Sequence, residues 1–483
     1  MPPPPTTTGR PSAGPLGTGE APEGCQPPTE WSEAKNVKWK VEVPGNGAST
    51  PIIWGDRIYL TTAIQTEKKV GAAAGADSLA KAPFLAQNDG DAPAPLPDFL
   101  KRFDTDNDGQ LNEAERSKMR EEMRGRRGNR GGGNTGGNGG RPGGGFGIEK
   151  PAQVYQFALV CFDRETGKEL WTKVAKEEVP HEGHHRDHGF ASATPVTDGE
   201  HLYVSFGSRG IFCFDMDGEK KWEKDLGDMQ TRNSFGEGTS PALHGDTLII
   251  KWDHEGDSFI VALDAKTGEE RWRKERDEQT SWATPLVIAG DKPYAIAAAT
   301  NKVIAYDLAT GDTVWETTGM TANVIPTPVR DSERVYVMSG FRGSALQAIE
   351  LGNKGKLAAG NGIAWEHNEG TPYVPSPLLT GGNLYFYQGN NAILTCLDAK
   401  TGKPHFERER IGDIRGVYAS PIAAGGHIYL LGREGNCAVI KAGNTLESVA
   451  TNKLDENFDA CPAVAGNALF LRGHKHLYCI AEG

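Results

Sequence analysis

The chain has 483 residues, a formal net charge of −12 and a pI near 5.6. The acidic balance argues against nucleic acid as the main partner. No apolar stretch approaches the ~18 residues that a membrane helix needs, and the length exceeds that of one ordinary domain.

The N-terminal region, residues 1–30, is rich in Pro, Gly and Thr and predicts a disordered leader. It lacks a basic start followed by an apolar core, so it is not a signal peptide as written. A misassigned start codon remains an alternative. The next stretch, residues 37–43, alternates polar and apolar side chains around Trp39 and predicts a strand whose partners come from elsewhere in the chain.

A small residue followed by proline recurs eight times, each time before an apolar strand, a turn with Gly or Asp, and a second strand. From the second marker onward the prolines are 41 to 49 residues apart. A period in the forties with four strands per repeat is typical of a β-propeller. We therefore predict an all-β, eight-bladed propeller of four-stranded blades. The markers are Thr50-Pro51, Thr194-Pro195, Ser240-Pro241, Thr284-Pro285, Thr327-Pro328, Ser376-Pro377, Ser420-Pro421 and Cys461-Pro462.

A second repeated unit is an Asp followed by a Thr-Gly turn and a strand that ends on Trp, as in Asp264 to Trp272. The last copy, residues 476–480, stops before its Trp strand. The strand at residues 37–43 should therefore complete the eighth blade and close the ring. Further copies start at Asp163, Asp307 and Asp398; the copy at Asp215 is one residue shorter, and the one at Glu350 carries an insertion.

Blade one is interrupted, because the spacing from Pro51 to Pro195 is about 100 residues longer than the repeat period. We assign residues 31–63 and 154–483 to the propeller and residues 64–153 to an insertion. Within the insertion, residues 125–147 form a Gly/Arg-rich linker. Such tracts can bind RNA, but a flexible tether is favoured in an acidic chain.

The insertion contains an EF-hand signature at residues 104–115, and the EF-hand with its flanking helices should span about 95–124. A single loop should bind Ca²⁺ weakly, with a Kd of about 10⁻⁴–10⁻³ M. The alternative is an acidic turn without metal. The predicted ligands are Asp104, Asp106, Asp108, Gln110 through its carbonyl, Asn112 and Glu115.

The seven cysteines do not suggest a disulfide framework. Cys161, Cys213, Cys396 and Cys479 occupy one repeat position, two residues before the turn Asp or its equivalent, where other blades have Ala. Each lies in a different blade, so we expect small buried side chains.

The blade-to-blade loops and the blade-one insertion should lie on one face, because successive strands alternate in direction. We place binding there, around the central channel. The four His of one loop are residues that bind transition metals, but their spacing fits no closed zinc signature, and a partly solvated polar loop is the favoured alternative. The candidate residues are His181, His184, His185, His188, Arg232, Asn233, Trp282, Tyr373, Arg415 and Tyr418.

The repeat Asp264-Ala-Lys-Thr-Gly…Trp272 resembles that of pyrroloquinoline-quinone (PQQ) repeat proteins. The resemblance covers about residues 37–63 and 154–483. It implies an eight-bladed propeller and two functional classes: quinoprotein dehydrogenases, and the non-enzymatic lipoprotein of the outer-membrane β-barrel assembly machinery with its relatives. It also implies an extracytoplasmic, periplasmic or cell-surface location. The dehydrogenases carry an adjacent-cysteine disulfide, which this sequence lacks, so PQQ is not expected as a cofactor.

The function we infer from the sequence is a non-catalytic scaffold, with calcium as its metal and a protein or peptide as its partner. It should be monomeric, without a transmembrane segment, and associate at most with a membrane-bound complex. A PQQ-dependent oxidoreductase is the first alternative. Extracytoplasmic carbohydrate or polymer binding through Trp282 and Tyr373 is the second.

Overall fold

A computed structural model describes residues 19–69 and 148–482. These residues form eight sheets, and each prolyl marker stands just before the first strand of one sheet. The eight-bladed propeller is therefore confirmed. The contacts divide the chain into one unit of residues 1–70 and 146–483 and a second of residues 71–145. The predicted EF-hand and the Gly/Arg-rich linker lie outside the described residues.

The first four blades are formed in chain order, and the four strands named here for each blade pair antiparallel with their neighbours. Blade one contains β2 (Ile52–Trp54), β3 (Arg57–Lys69), β4 (Gln153–Asp163) and β5 (Glu169–Glu178); blade two β6 (Val196–Thr197), β7 (His201–Ser205), β8 (Ile211–Asp215) and β9 (Lys220–Lys224); blade three β10 (Ala242–His244), β11 (Thr247–Trp252), β12 (Phe259–Asp264) and β13 (Glu270–Glu275); blade four β14 (Leu286–Ile288), β15 (Tyr294–Ala298), β16 (Val303–Asp307) and β17 (Thr313–Thr317).

The remaining blades repeat this order, and β1 (Val37–Glu42) completes the last one. Blade five contains β18 (Val329–Arg330), β19 (Arg334–Ser339), β20 (Ala345–Glu350) and β23 (Gly362–His367); blade six β24 (Leu378–Thr380), β25 (Asn383–Gln388), β26 (Asn391–Asp398) and β27 (Pro404–Arg410); blade seven β28 (Ile422–Ala424), β29 (His427–Leu431), β30 (Asn436–Lys441) and β31 (Ser448–Lys453); blade eight β32 (Ala463–Ala465), β33 (Ala468–Arg472) and β34 (His476–Ile480).

Two blades have five strands rather than the expected four. The insertion before Trp365 supplies β21 (Gly355–Lys356), which pairs in parallel with β17 of blade four, and β22 (Ala358–Ala359), which pairs in parallel with β23 of blade five. One inserted loop thus covers the outer edges of two neighbouring sheets, which would otherwise present unpaired backbone groups.

The ring closes as the sequence predicts. Strand β1 pairs antiparallel with β34, and Trp39 lies opposite Cys479. The apolar core is divided among eight clusters of buried side chains, and each cluster joins two adjacent blades. Each sheet is therefore covered on both faces, which explains why middle strands such as β11 are buried along their whole length.

The Asp–Thr–Gly unit joins each blade to the one before it. The Trp272 ring of blade three lies against Gly311 in the turn of blade four, and its Nε1 donates to the Leu308 carbonyl at 2.9 Å. Gly311 has φ +73°, and a Cβ there would be 2.6 Å from the indole. Glycine therefore satisfies both the turn and the ring contact.

The same docking recurs with Trp39 on the turn of blade one, Trp222 on that of blade three and Trp365 on that of blade six. In contrast, the buried Nε1 atoms of Trp171 and Trp315 have no hydrogen-bond partner. These two rings face the blades whose turns depart from the repeat: the shortened copy in blade two and the interrupted copy in blade five. The turn sequence thus decides whether the indole finds an acceptor.

The small residue of each prolyl marker forms a belt between the blades. The backbone N–H of Thr194 donates to Ser240 Oγ at 2.9 Å, and that of Ser376 donates to Ser420 Oγ at 2.9 Å. Four further backbone N–H groups donate in the same way to the marker side chain of the next blade, and the last of them donates to Cys461 Sγ. These donors are Thr50, Thr284, Thr327 and Ser420. In these pairs the hydroxyl or thiol of one marker accepts a hydrogen bond from the backbone N–H of the marker in the preceding blade.

Two boundaries differ from those predicted. Strand β3 continues to Lys69 and β4 starts at Gln153, so the hairpin of blade one extends into the assigned insertion. Residues 19–30, assigned to a disordered leader, are ordered. Ala21 pairs with Ala423, Cys25 is buried, and the Pro27 carbonyl accepts from the Tyr429 hydroxyl at 2.9 Å. Composition alone missed the apolar anchors within this proline-rich segment.

All seven cysteines are free, and six are buried. Cys161, Cys213, Cys396 and Cys479 each lie opposite the aromatic residue of the outer strand, where a small side chain leaves room for the ring. No helix in the described ranges is long and apolar enough to span a membrane.

Candidate functional site on the loop face

All ten candidate binding residues lie on the end of the propeller that carries the blade-to-blade loops and the turns between second and third strands. We call this end the loop face. The candidates occur between β5 and β6, β9 and β10, β13 and β14, β23 and β24, and β27 and β28. The opposite end carries the repeated Asp–Thr–Gly turns, and we call it the turn face.

The four histidines of the loop between β5 and β6 do not converge on one centre. His181 Nε2 lies 2.6 Å from the Met229 carbonyl, and His184 Nδ1 lies 2.8 Å from the carbonyl of its neighbour His185. His185 Nδ1 accepts from the backbone of Asp187 at 3.2 Å. Among the described residues, His181 alone of the four belongs to a group of possible metal ligands, with Glu182 and Glu237.

His188 is held as a neutral ring. Its Nε2 lies 3.0 Å from the Glu237 carbonyl, and the Ser192 hydroxyl is 3.1 Å from its Nδ1. Burial, with His184 nearby, lowers the pKa of His188 to about 4. A neutral Nε2–H tautomer donates to the carbonyl and accepts from the hydroxyl, which satisfies both nitrogens.

Tyr418 belongs to a charged cluster that links loops far apart in sequence. Its hydroxyl lies 3.3 Å from Asp187 Oδ2, and the Arg433 guanidinium stacks 3.9 Å from the centre of its ring. Arg433 also pairs with Asp187 at 3.3 Å and with Asp459 at 2.6 Å. His474 Nε2 lies 2.9 Å from Asp459, and this contact raises the pKa of His474.

This cluster draws the histidine-rich loop, which follows blade one, toward blades seven and eight. Sequence reasoning identified Tyr418 and missed the other members. The available signal was Arg433 and His474, which stand just after the second strands of consecutive blades, where an apolar run ends in glycine. Equivalent positions of consecutive repeats lie side by side in a propeller, so charged residues that recur at one such position indicate a cluster.

Arg232, Asn233 and Trp282 occupy neighbouring loops. Arg232 Nη1 lies 3.2 Å from Gln279 Oε1 and 3.4 Å from Asn323 Oδ1, and Trp282 Nε1 donates to the Gly236 carbonyl at 2.8 Å. Asn233 is exposed and has a left-handed backbone, with φ 53°. These bonds join the loops that follow blades two, three and four.

Tyr373 and Arg415 lie farther around the ring. The Tyr373 ring stacks on Phe341 with centroids 4.8 Å apart, and Arg342 covers the Phe341 ring at 5.2 Å. Both aromatic side chains are half-buried, whereas Arg342 and Arg415 are exposed. The structure does not bring these residues into contact with the histidine-rich loop.

Beneath the loops of blades three and four lies a fully buried charged network that sequence reasoning missed. Arg276 binds Asp253 through two nitrogens, at 2.7 and 3.2 Å, and Lys251 Nζ lies 3.5 Å from Asp253 Oδ2. The Ser281 hydroxyl and the Tyr306 hydroxyl complete the network. Burial lowers the pKa of Lys251 to about 8. Lys251 stands alone among the apolar residues of β11, whereas Asp253 and Arg276 follow two different strands, so no local pattern predicts their pairing.

A small, partly open cavity lies between the loops that follow blades one and two. Its volume is about 20 Å³, and Glu182, Arg209 and Glu237 contribute to its lining. Burial raises the pKa of Glu182. The cavity has room for one water molecule, so a ligand of the size of a quinone does not fit there.

Comparison with known proteins decides the family. The model of a family described as outer membrane protein assembly factor BamB matches residues 138–281 and 256–482. The chain belongs to this family. One relative, the outer membrane protein assembly factor BamB of Burkholderia pseudomallei, is 22% identical over 338 residues, which cover 64% of this chain and 74% of the relative.

Solved structures of other proteins share the fold. A europium-containing methanol dehydrogenase superposes with a TM-score of 0.55 at 9% identity, covering 98% of this chain and 90% of that one. A quinohemoprotein alcohol dehydrogenase from Comamonas testosteroni gives a TM-score of 0.50 at 11% identity, covering 70% of this chain and 75% of that one. At these identities the likeness shows the fold alone, because one propeller fold serves both enzymes and non-enzymes.

Proposed function

We propose that this protein is a non-catalytic, extracytoplasmic propeller scaffold that binds a protein or peptide partner through its loop face. We also propose that its inserted EF-hand binds Ca²⁺. The observation that carries the scaffold proposal is the difference between the two faces. The turn face repeats one small hairpin, whereas the loop face presents side chains that differ from blade to blade on loops tied together across blades.

The exposed groups of the loop face suit a protein partner. Arg186 is 87% exposed, Arg342 and Arg415 are exposed, and the stacked Phe341 and Tyr373 rings are half-buried. Arginine and aromatic side chains are enriched in protein–protein interfaces and dominate their binding energy. The family relationship to outer membrane protein assembly factor BamB favours a role within an assembly complex.

Two observations argue against a quinone enzyme. The adjacent-cysteine disulfide implied by the dehydrogenase resemblance has no counterpart, because all seven cysteines are free. The polar groups of the histidine-rich loop are also engaged with one another and with backbone carbonyls, so they form no preorganised set of donors around an open cavity.

Charge-reversal variants of the two faces test the scaffold proposal. The full chain is used for crosslinking and affinity capture from the envelope fraction of its source. Arg186→Glu, Arg342→Glu and Arg415→Glu together should abolish capture of a defined partner. The matched control reverses three exposed turn-face lysines, Lys168→Glu, Lys266→Glu and Lys400→Glu, and should leave capture unchanged. Equal capture by both variants would contradict binding through the loop face.

Calcium and quinone binding are tested on the same purified protein. Calorimetry should show one calcium ion per chain, with a Kd of about 10⁻⁴–10⁻³ M. Glu115→Gln removes the bidentate ligand and should abolish the binding heat, whereas Glu121→Gln, outside the loop, should not. PQQ added with calcium should produce neither bound-quinone absorbance nor dye-linked alcohol oxidation. Electron flow would establish the dehydrogenase alternative.

A further inference from the structure

Three possible metal ligands meet beside the small cavity of the loop face. His181 and Glu182 belong to the loop that follows blade one, and Glu237 belongs to the loop that follows blade two. One ligand atom from each lies within 4.8 Å of the others. The proposed partner binding makes no use of this group.

The tautomer of His181 leaves a nitrogen free for a metal. Its Nε2 lies 2.6 Å from the Met229 carbonyl, and a carbonyl accepts only, so Nε2 carries the proton. The lone pair is then on Nδ1, which lies 3.7 Å from the Asp228 carboxylate. Metal-binding histidines commonly donate their second nitrogen to a carbonyl in this way.

Both carboxylates are already oriented by surrounding donors. The Thr231 hydroxyl and backbone N–H donate to Glu182 Oε1 at 2.5 and 3.1 Å. Glu237 accepts from the Ser208 backbone and hydroxyl, each at 2.6 Å, and from Arg209 at 2.9 Å. Each carboxylate retains further lone pairs, and such outer partners tune metal affinity.

The local charge favours a divalent cation. The Arg209 guanidinium lies 3.5 Å from Glu178 and 2.9 Å from Glu237, and Glu182 belongs to the same cluster as Glu237. Three carboxylates and one guanidinium leave two negative charges in a half-buried place.

A separate observation indicates a small ligand in the cavity. Arg209 is 5% exposed and lines the cavity; its Nη2 has no hydrogen-bond partner, and its Nε has only the Glu178 carboxylate, at 3.5 Å. Buried donors of this kind are rarely left without an acceptor. A water molecule in the cavity of about 20 Å³ supplies an acceptor for Arg209 and an oxygen for a neighbouring metal ion.

We propose that His181, Glu182 and Glu237 bind a divalent transition-metal ion such as Zn²⁺, with a cavity water as the fourth ligand. One imidazole, two carboxylates and a water are a ligand set that zinc accepts. Tetrahedral zinc places its ligands about 3.4 Å apart, so binding draws the three side chains slightly closer. The cavity of about 20 Å³ leaves no room for a substrate, and the ion therefore acts as a link between two loops of the loop face.

The test uses tag-free full-length protein, stripped of metal and kept in millimolar calcium so that the EF-hand is occupied. Zinc is added and followed by calorimetry, and cobalt is added as a spectroscopic probe of the ligand set. We expect one zinc ion per chain and a higher Tm in its presence. Glu182→Gln retains an oxygen for Thr231 but loses the charge, and it should lower zinc affinity by more than about 100-fold.

His184→Gln is the matched control, because His184 lies in the same loop outside the proposed ligand set. It should bind zinc with unchanged stoichiometry. Unfolding without metal shows whether each variant is folded. The proposal is overturned if wild-type protein binds no zinc. It is also overturned if His184→Gln loses zinc as fully as Glu182→Gln, since the histidine tract then chelates the ion without a defined site.

Discussion

The two ends of the propeller are held together in different ways. On the turn face, one contact recurs: an indole lies on the glycine of the next turn and donates to a carbonyl, as Trp272 does to Leu308. On the loop face, each contact is unique, such as Asp187 with Arg433 or Arg276 with Asp253. The turn face is therefore held together by one contact repeated between blades. The contacts of the loop face differ from one pair of loops to the next.

The buried network of the loop face should give the largest effect when it is broken. Asp253→Ala leaves Arg276 and Lys251 without their partner in a fully buried place. Loss of one member of a buried ion pair costs about 3–5 kcal/mol. Chemical denaturation should show this loss in the free energy of unfolding. The turn-face control, Asp246→Ala, removes the partner of Arg271 from an exposed pair and should cost under about 1 kcal/mol.

The turn face should respond strongly to a single added methyl group. Gly311→Ala places a Cβ 2.6 Å from the Trp272 ring at φ +73°, so strain and overpacking combine to about 2–4 kcal/mol. Gly245→Ala is the matched control, because Gly245 has φ +56° and open space around it. Its cost should be only about 1–2 kcal/mol. Equal losses in the unfolding free energy would show that the indole contact adds nothing.

The belt of prolyl markers should give an intermediate effect. Ser376→Ala removes the acceptor of the Thr327 backbone N–H, and a buried donor without an acceptor costs about 1–3 kcal/mol. Ser376→Cys should lose less, because Cys461 performs the same role for Ser420 at 3.2 Å. Thermal unfolding of the two variants compares them directly. If both unfold at the wild-type temperature, the belt does not stabilise the ring.

The pH dependence of the Tyr418 cluster should be the smallest effect. The contact with Asp459 raises the pKa of His474 above its ordinary value, so its stabilisation is complete below about pH 6.5 and is lost as the pH rises through the raised pKa. A pair this exposed should contribute under about 1 kcal/mol. His474→Gln should remove that part of the stability loss between pH 6 and pH 9. An unchanged pH profile in the variant would contradict the pairing.

The sequence predicted what repeats. Eight prolyl markers predicted the number of blades, and the strand around Trp39 predicted the closure of the ring. Both predictions were possible because the markers and the Trp strand are copies of patterns that recur along the sequence. Even the cysteines opposite the outer aromatic residues could be placed by register. The fifth strands of blades four and five were not predicted. They lie within residues 355–359, in the insertion of the repeat copy that starts at Glu350.

For the candidate site, the sequence predicted the face of the propeller but not the contacts between side chains. Topology predicted that Tyr418 and His181 lie on the loop face, where the structure has them, but their neighbours, Asp187 with Arg433 and Glu182 with Glu237, come from loops that no local pattern relates. The ordered residues 19–30 were missed for a similar reason. The Pro27 carbonyl accepts from the Tyr429 hydroxyl of blade seven, and the repeat pattern does not predict a contact between residues so far apart in the sequence.

The closure of the ring by β1 and β34 has a consequence for biosynthesis. Strand β1 is made before any blade exists, and its partner is the last strand to be made. At typical translation rates, on the order of a minute separates the two. Blades one to seven can begin to stack during that time, while the aromatic side of β1, including Trp39, waits without its partner. Strand β1 therefore has no partner until β34 has been made.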